Sequence, residues 1–265
     1  MGIEPKLQEK FRAEYNPDGS MLRRQQMKML DILLHFDKVC REHNIKYWLS
    51  SGTMLGAVRH GGFIPWDDDL DVEMMREDYL KFLQVWQDDE NYLLHTPDND
   101  LHYIMPYAKI RDKHSVLEEY MGGYYFKYKG VFIDIFALEY THRFLSHYTH
   151  MMLRRIRKFE NRHKPSKLID MIISLRKRIS FFLFKLWRFI SNLLPGQQLR
   201  YMYGTWCYRE ERHIDDIFPL TTIKFEGYDF PAPHDSDAYL RKIYGDYMQI
   251  PEVKEVHTKT IEFLE

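Results

Sequence analysis

Cysteine is scarce in this sequence, with two residues, Cys40 and Cys207, in a chain of 265. They lie far apart and show no spacing typical of metal ligands, so a disulfide framework is not indicated. Such low cysteine usage is typical of proteins that function in a reducing compartment. We therefore expect a cytoplasmic location.

Long apolar runs are also missing. No stretch of about 18 uncharged apolar residues occurs, which argues against a membrane-spanning helix. The first ten residues, MGIEPKLQEK, lack the apolar centre of a secretory signal. With 45% apolar and 29% charged residues, the composition is that of a globular chain rather than a disordered one. The protein is expected to be free in the cytoplasm or to lie at the inner face of the membrane.

The net charge of −1 hides an uneven distribution along the chain. Residues 142–195 contain thirteen Lys and Arg residues against two acids, Glu160 and Asp170. Such an excess favours an anionic partner, either a membrane surface or a polyanionic substrate. A solvated helical face would produce the same excess, so both interpretations stay open at this point.

The hydrophobic pattern predicts an α+β protein with a mixed sheet flanked by helices. In the first half of the sequence, this pattern predicts helices at 21–43, 53–59 and 76–87. It predicts strands at 47–50, 70–74, 103–110 and 130–137. Beyond residue 138 the pattern predicts helices at 143–163, 168–193 and 197–212, then a strand at 223–230 and a helix at 235–244. We divide the chain into a core (1–140), a basic helical segment (141–213) and a C-terminal piece that packs back on the core (214–265).

Four aspartates stand within five positions of one another: Asp67, Asp68, Asp69 and Asp71. Their mutual repulsion is unfavourable unless a positive charge neutralises it. If this segment is extended, Asp69 and Asp71 point to one face because strand side chains alternate, while Leu70 and Val72 point into the core. Asp67 joins that face if the strand begins early, and Asp68 points away. Two carboxylates so placed suit Mg²⁺, which binds one or two carboxylates together with substrate phosphates. A solvated acidic turn is the alternative.

Two further features agree with a phosphate and metal site. Gly52 and Thr53 stand where a strand is predicted to turn into a helix, and such a turn brings backbone N–H groups close to an anion. Asp134 lies inside the apolar strand 130–137, where an unpaired carboxylate is costly to bury. Binding to a metal or to a polarised hydroxyl would explain Asp134, and a surface-facing position on an edge strand is the less favoured alternative.

The run from Gly52 to Asp71, GTMLGAVRHGGFIPWDDDLD, closely resembles the LicD family. That family includes bacterial phosphocholine transferases and fukutin-type ribitol-phosphate transferases, and it belongs to the nucleotidyltransferase superfamily. The resemblance extends to 131–136 and to a C-terminal piece that contains Phe225-Glu226-Gly227 and Tyr244-Gly245-Asp246. The helical middle carries no match. Two departures, Ala137 and Glu252 where relatives often have proline, touch no expected ligand.

The resemblance implies a nucleotidyltransferase-like core that binds Mg²⁺ or Mn²⁺ through Asp69 and Asp71. Asp134 corresponds to a third carboxylate, as metal ligand or general base, and Asp67 corresponds to a further acidic position. Gly52 and Thr53 correspond to the loop that faces the donor phosphates, and they are expected to bind substrate.

The implied reaction moves a phosphorylated alcohol from a CDP-alcohol to a hydroxyl of a cell-surface glycan, such as lipopolysaccharide, teichoic acid or capsule. Phosphocholine is the first expectation, with ribitol and glycerol phosphates open. Arg59, Lys109 and Arg111 are candidates to clamp phosphates because cations suit phosphate oxygens. An ordinary surface cation is the alternative for each.

Three other functions share parts of this pattern. A nucleotidyltransferase would leave the nucleotide on the acceptor, and a glycosyltransferase can hold a nucleotide sugar with an Asp-x-Asp pair. The Gly-Thr loop and the third carboxylate argue against the glycosyltransferase. Intact candidate ligands argue against a non-catalytic membrane-associated scaffold. No nucleic-acid partner is expected.

The segment 168–193 predicts an amphipathic basic helix. Ile179, Phe182 and Leu186 line one side of this helix, and Lys177 and Arg188 lie on the other. A helix of this kind can lie in a membrane interface. A helix that packs on its own domain with a solvated cationic face is the alternative, since Lys and Arg stems also cover apolar surface.

Overall fold

The structure is a computed structural model that describes residues 2–118, 125–205, 211–252 and 261–264. Within these residues the helices are α1 (Pro5–Tyr15), α2 (Met21–Glu42), α3 (Ser51–His60), α4 (Arg76–Val85), α5 (Arg143–Glu160), α6 (Lys167–Asn192), α7 (Ile214–Ile217) and α8 (Ser236–Tyr244). The strands are β1 (Trp48–Leu49), β2 (Asp71–Met75), β3 (Tyr92–His95), β4 (Ala108–Asp112), β5 (Ser115–Leu117), β6 (Phe132–Thr141), β7 (Gln198–Tyr201), β8 (Thr221–Phe225), β9 (Tyr228–Ala232) and β10 (Ile261–Phe263).

The main sheet has the strand order β1-β2-β6-β4-β3, and β7 pairs with the far end of β6. Strands β2 and β6 run parallel, whereas the other neighbours in this sheet are antiparallel. Strands β5 and β10 form one small sheet, and β8 and β9 form another. The predicted α+β class with a mixed sheet is therefore confirmed.

The two faces of the main sheet differ in chemistry. Side chains alternate along each strand, and directly opposite residues share a face. One face carries Val72, Ile110 and Ile133, which belong to the buried core together with Leu33 and Phe36 of α2. The opposite face carries acidic and basic side chains, and the candidate site lies there.

Helix α2 follows the predicted range closely. Ser20 caps its N-terminus, since the Ser20 side chain accepts a hydrogen bond from the Arg23 backbone N–H. Its predicted apolar positions, including Met29 and Cys40, are buried. Burial raises the pKa of the Cys40 thiol, which forms no disulfide. Cys207 lies outside the described residues.

Three predictions of regular structure differ from the observed elements. The helix predicted at 197–212 contains strand β7, in which Leu199 and Tyr201 pair antiparallel with β6. Residues 206–210 of that range lie outside the described residues. The strand predicted at 103–110 begins at Ala108, and the strand predicted at 223–230 is the hairpin of β8 and β9, which turns at Glu226 and Gly227.

Helices α5 and α6 pack together around a second apolar cluster that includes Leu153, Ile173 and Phe184. The C-terminal piece joins the main core instead, through residues such as Phe225 and Leu240. Among the described residues, no helix is both long enough and apolar enough to cross a membrane.

Candidate metal and phosphate site

A row of charged side chains crosses the polar face of the main sheet. Asp71 of β2 lies opposite Asp134 of β6, and Asp134 lies opposite Lys109 of β4. The Lys109 ammonium contacts the Asp134 carboxylate, with Nζ 2.6 Å from Oδ1. His95 of β3 continues the row next to Lys109. Three residues predicted for the site, distant in sequence, are thus brought together on adjacent strands.

Asp134 lies on an interior strand that is bonded to β2 on one side and to β4 on the other. Its backbone N–H donates to the Leu70 carbonyl at 2.9 Å, which anchors it next to the aspartate run. The surface-facing edge position that the sequence left open is therefore wrong. Lys109 also lies over the Phe132 ring, 3.3 Å from its centroid, which holds the ammonium between an aromatic face and a carboxylate.

The aspartate run forms a compact group of oxygens just before β2. Asp67, Asp68 and Asp69 each present a carboxylate oxygen, and the three oxygens lie within 4.8 Å of one another. Asp68 was expected to point away and instead belongs to this group, because the chain is still a loop here and strand alternation begins only at Asp71. Asp69 is exposed, whereas Asp67 and Asp68 are partly buried.

Helix α2 holds the aspartate loop in place through two amide side chains. Gln25 Nε2 donates to the Asp68 carbonyl at 2.8 Å, and Gln26 Nε2 donates to the Asp67 carbonyl at 2.9 Å. Both glutamines are buried, although they belong to an amphipathic helix that presents mainly apolar residues to the core. This polar break in the apolar face of α2 was the sequence signal that could have linked α2 to the site.

The electrostatics of the group favour a cation. Burial, together with the charges of Asp69 and Asp68, raises the pKa of Asp67 to about 7. Burial and then the charge of Asp134 raise the pKa of Asp71 well above its ordinary value, against the opposing effect of Lys109. Oxygen ligands from several carboxylates are the donor set that hard divalent cations prefer. The residues therefore fit the Mg²⁺ or Mn²⁺ ion that the sequence predicts.

The first turn of α3 closes the site from the side of β1. The Thr53 hydroxyl accepts a hydrogen bond from the Asp71 backbone N–H at 2.8 Å. A Cβ at Gly52 would lie 2.8 Å from Asp67 Oδ2, so a larger residue there would force that carboxylate to shift. Ser51 has a φ of +50°, a left-handed conformation that is unfavourable for a side chain and often marks a functional site. Gly52 and Thr53 thus lie against the aspartates, and their contact with the donor phosphates stays a prediction.

Two of the predicted phosphate clamps have other bonding partners. The buried Arg59 donates to the Tyr247 carbonyl at 2.7 Å and to His60 Nε2 at 2.9 Å, which fastens α3 to the C-terminal piece. The buried Arg111 donates to His95 Nδ1 at 2.8 Å and to the Gly130 carbonyl at 2.9 Å. Since protein acceptors hold both guanidinium groups, we do not include them in the site.

Glu73 is a residue that the sequence analysis missed. It follows Asp71 on the same face of β2, yet its side chain is fully buried. The donors to its carboxylate are Trp48 Nε1, Tyr201 Oη, Tyr239 Oη and Arg212 Nη2. These bonds tie β1, β7, α8 and the segment at residue 212 to the strand that carries Asp71. The Asp-x-Glu alternation was the signal, because a second acid on one face of a core strand requires a partner.

Comparisons with known proteins identify relatives of this chain. The LicD/FKTN/FKRP nucleotidyltransferase domain matches residues 44–171. The lipopolysaccharide cholinephosphotransferase LicD of Haemophilus influenzae is 31% identical over 254 residues, which span 87% of this chain and 92% of that protein. The ribitol 5-phosphate transferase FKRP of Homo sapiens is 53% identical over 34 residues, which are 13% of this chain and 7% of that protein. An uncharacterised protein of Rickettsia typhi is 46% identical over 59 residues, or 22% of this chain and 19% of that protein.

Proposed function

The chain belongs to the LicD family of phosphotransferases, and from this premise we propose that it transfers a phosphorylated alcohol from a CDP-alcohol to a hydroxyl of a cell-surface glycan. Phosphocholine is the first candidate for the transferred group. The observation that carries the proposal is the alignment of Asp71 and Asp134 on adjacent strands, next to the Asp67–Asp69 oxygens and the first turn of α3.

Asp69, Asp71 and Asp134 would hold the Mg²⁺ or Mn²⁺ ion in this proposal, and Asp67 adjoins them. When bound, the ion would neutralise the negative charge on the diphosphate of the donor. The protein residues supply the rest of the positioning. Because the Asp71 backbone N–H is bonded to the Thr53 hydroxyl, the carboxylate of Asp71 and the N-terminus of α3 keep a fixed spacing. Backbone N–H groups at that N-terminus favour the donor phosphates.

Lys109 serves the site indirectly in this account. Its ammonium donates a hydrogen bond to the Asp134 carboxylate, which fixes the position of that side chain. The same ammonium partly neutralises the negative charge of the row. The predicted direct contact between Lys109 and phosphate remains a proposal, and the Asp134 contact offers a simpler role for the same charge.

The proposed transfer is a single displacement at phosphorus. The acceptor oxygen forms a bond to the phosphorus that carries the alcohol, and the bond from that phosphorus to the bridging oxygen breaks. CMP leaves with the electron pair, and the proton of the acceptor hydroxyl passes to a carboxylate of the site, for which Asp134 and Asp67 are the candidates. Reactions of this type depend mainly on positioning and charge stabilisation.

The two named relatives point to different alcohols. The Haemophilus influenzae relative is a lipopolysaccharide cholinephosphotransferase and matches along most of this chain, which favours phosphocholine and a lipopolysaccharide-type acceptor. The relative named as a ribitol 5-phosphate transferase matches a short segment, which keeps ribitol phosphate as the second candidate. Glycerol phosphate as the group and teichoic acid or capsule as acceptors remain further proposals.

The test uses CDP-choline labelled in the choline methyl groups, Mn²⁺, and a lipopolysaccharide preparation that lacks choline. We expect CMP as the released product and labelled choline on the glycan, and we expect EDTA to prevent both. Release of phosphocholine, with the nucleotide retained on the glycan, would instead identify a nucleotidyltransferase. Activity with CDP-ribitol but not with CDP-choline would select the second candidate, and full activity in EDTA would contradict the metal site.

A further inference from the structure

Helix α6 packs on the protein through a side that mixes apolar and polar residues. Its buried positions are Ile173, Lys177, Ser180, Phe184 and Ser191. Lys177 Nζ donates to the carbonyls of Asp100 at 2.8 Å and Leu101 at 3.3 Å. Arg188 donates to the Glu139 carboxylate, with Nη2 2.9 Å from Oε1. Lys177 and Arg188, which the sequence places on the side opposite the apolar one, therefore help to hold the helix on the core.

A second apolar side of α6 faces outward. An exposed stripe, called here the α6 stripe, consists of Leu168, Leu175, Phe182 and Phe189 at seven-residue intervals, with Ile179 and Leu186 beside them. Phe182 and Phe189 are 66% and 64% exposed. A helix of this length measures about 39 Å at 1.5 Å per residue. Contiguous exposed apolar surface of this kind marks an interaction site in a soluble domain.

The surroundings of the α6 stripe are cationic. Arg178 and Lys185 are exposed along one flank, and Lys164 and Lys167 are exposed at the N-terminal end. Of the two acids in 142–195, Glu160 is buried against His102 at 2.6 Å and therefore adds little to the outer surface. The outer side of the segment is thus an apolar band bordered by positive charge.

Exposed aromatic residues also occur on the neighbouring helix α5. The Tyr148 ring lies 6.1 Å from the Trp187 ring of α6, and Tyr148 is 47% exposed. Phe144, one turn earlier on α5, is also exposed. Amphipathic aromatic rings are enriched where proteins meet the polar boundary of a bilayer.

We propose that the α6 stripe docks the protein on the surface of a bilayer that contains anionic lipids, with α6 lying in the plane of the interface. The apolar side chains enter the boundary between headgroups and acyl chains, and the flanking cations contact the lipid headgroups. A second copy of the chain is the poorer occupant, since two such helices would bring like charges together. The docking does not depend on the proposed catalytic activity.

The experiment measures cosedimentation of the full chain with sucrose-loaded vesicles, without donor or metal. Vesicles of phosphatidylcholine alone are compared with vesicles that contain roughly one third phosphatidylglycerol. We expect binding to the anionic vesicles and a steep loss of binding with added salt. The variant Phe182→Ser/Phe189→Ser should bind at least tenfold more weakly, because it removes two large apolar side chains from the stripe.

Matched controls separate docking from general surface effects. Tyr228→Ser/Leu80→Ser removes exposed apolar residues elsewhere and should bind as the wild type does. Arg178→Glu/Lys185→Glu should lose the preference for anionic vesicles, whereas Lys6→Glu/Lys10→Glu on α1 should keep it. Circular dichroism and thermal unfolding establish that each variant is folded.

Three results would overturn the proposal. The first is equal vesicle binding by the folded Phe182→Ser/Phe189→Ser variant and the wild type, and the second is no wild-type binding to anionic vesicles. The third is a stable wild-type dimer in sedimentation velocity that the same variant converts to a monomer, which would identify the α6 stripe as an interface between copies.

Discussion

Asp71 and Asp134 lie directly opposite each other on two parallel strands, and Lys109 contacts Asp134 from the strand beyond. Neighbouring strands lie about 4.8 Å apart, so the two carboxylates are close enough to repel each other strongly. One ammonium faces two carboxylates in this row, and the Asp67–Asp69 group adds further negative charge. The site therefore carries an excess of negative charge in the absence of an added cation.

Removal of one carboxylate should separate activity from stability. We expect Asp71→Asn to lower turnover at least about 100-fold, because it removes a proposed metal ligand. The thermal midpoint of the metal-free variant should equal or exceed that of the wild type, since the repulsion that raises the pKa of Asp71 is relieved. Steady-state kinetics and thermal unfolding provide the two readouts, with Asp229→Asn on the exposed hairpin as control. A folded Asp71→Asn enzyme with near wild-type turnover would contradict the assignment.

The stability of the metal-free protein should depend on pH through Asp67. Its pKa is raised to about 7 in the native state, above the ordinary value near 4 for an aspartate. The native state therefore binds this proton more tightly than the unfolded chain, so the contribution of Asp67 to stability is lost as pH rises from about 4 to 7. Mg²⁺ competes with protons for the carboxylates, so its stabilising effect should be larger near pH 8 than near pH 5.

Thermal unfolding with and without Mg²⁺ at the two pH values measures this effect. Asp67→Asn is the informative variant. It should make the stability of the metal-free protein depend less on pH between about pH 4 and 7. A wild-type protein that gains equal stability from Mg²⁺ at both pH values would show that the ion binds elsewhere.

The contributions of Lys109 and Asp134 to stability should be energetically coupled. Lys109→Met leaves the Asp134 carboxylate without its closest cation, and loss of one partner of a buried pair costs roughly 3–5 kcal/mol. The double variant Lys109→Met/Asp134→Asn should be more stable than the sum of the two single effects predicts, by at least about 1 kcal/mol. Urea unfolding of the four proteins gives this coupling, and additive effects would show that the two side chains do not interact.

Arg59 should behave as a structural residue. Arg59→Lys keeps the charge but cannot reproduce the bonds to both Tyr247 and His60, so the free energy of unfolding should fall by about 1–3 kcal/mol. The KM for the donor should stay within about twofold of the wild type if the guanidinium has no phosphate contact. A large rise in KM with unchanged stability would restore the phosphate-clamp role that the sequence suggested.

A larger residue at Gly52 should disturb the aspartate group. The Cβ of Gly52→Ala would meet Asp67 Oδ2 at 2.8 Å, so the carboxylate must move. We expect weaker Mn²⁺ binding and slower turnover. In an Asp67→Ala background, Gly52→Ala should cause little further loss of stability, because the carboxylate that the new Cβ would meet is absent. An equal loss of stability in both backgrounds would locate the strain elsewhere.

Local patterns were sufficient to predict much of the site. Period-two alternation predicted that Leu70 and Val72 enter the core, and both are buried. The acidic run, the Gly-Thr turn and the carboxylate in an apolar strand each indicated chemistry by residue type. What local patterns could not supply was the cross-strand register, which brings Lys109 to Asp134 across 25 positions of sequence.

The remaining errors have the same physical origin. Residues 198–201 form a strand because β6 offers an antiparallel partner, which no local propensity reveals. The amphipathic pattern of α6 identified two sides but not which side packs on the protein. Contacts with distant residues determine that side. Lys177 and Arg188 find oxygens at Asp100 and Glu139. Ile173 and Phe184 on the same side join the second apolar cluster.

Direct titration of Mn²⁺ into the metal-free protein, followed by electron paramagnetic resonance, tests the central claim most directly. The account predicts saturable binding near neutral pH that Asp71→Asn and Asp134→Asn each weaken at least tenfold, while Asp229→Asn leaves it unchanged. Equal Mn²⁺ affinity in the wild type and both site variants, with all proteins folded, would contradict a metal site built on Asp71 and Asp134.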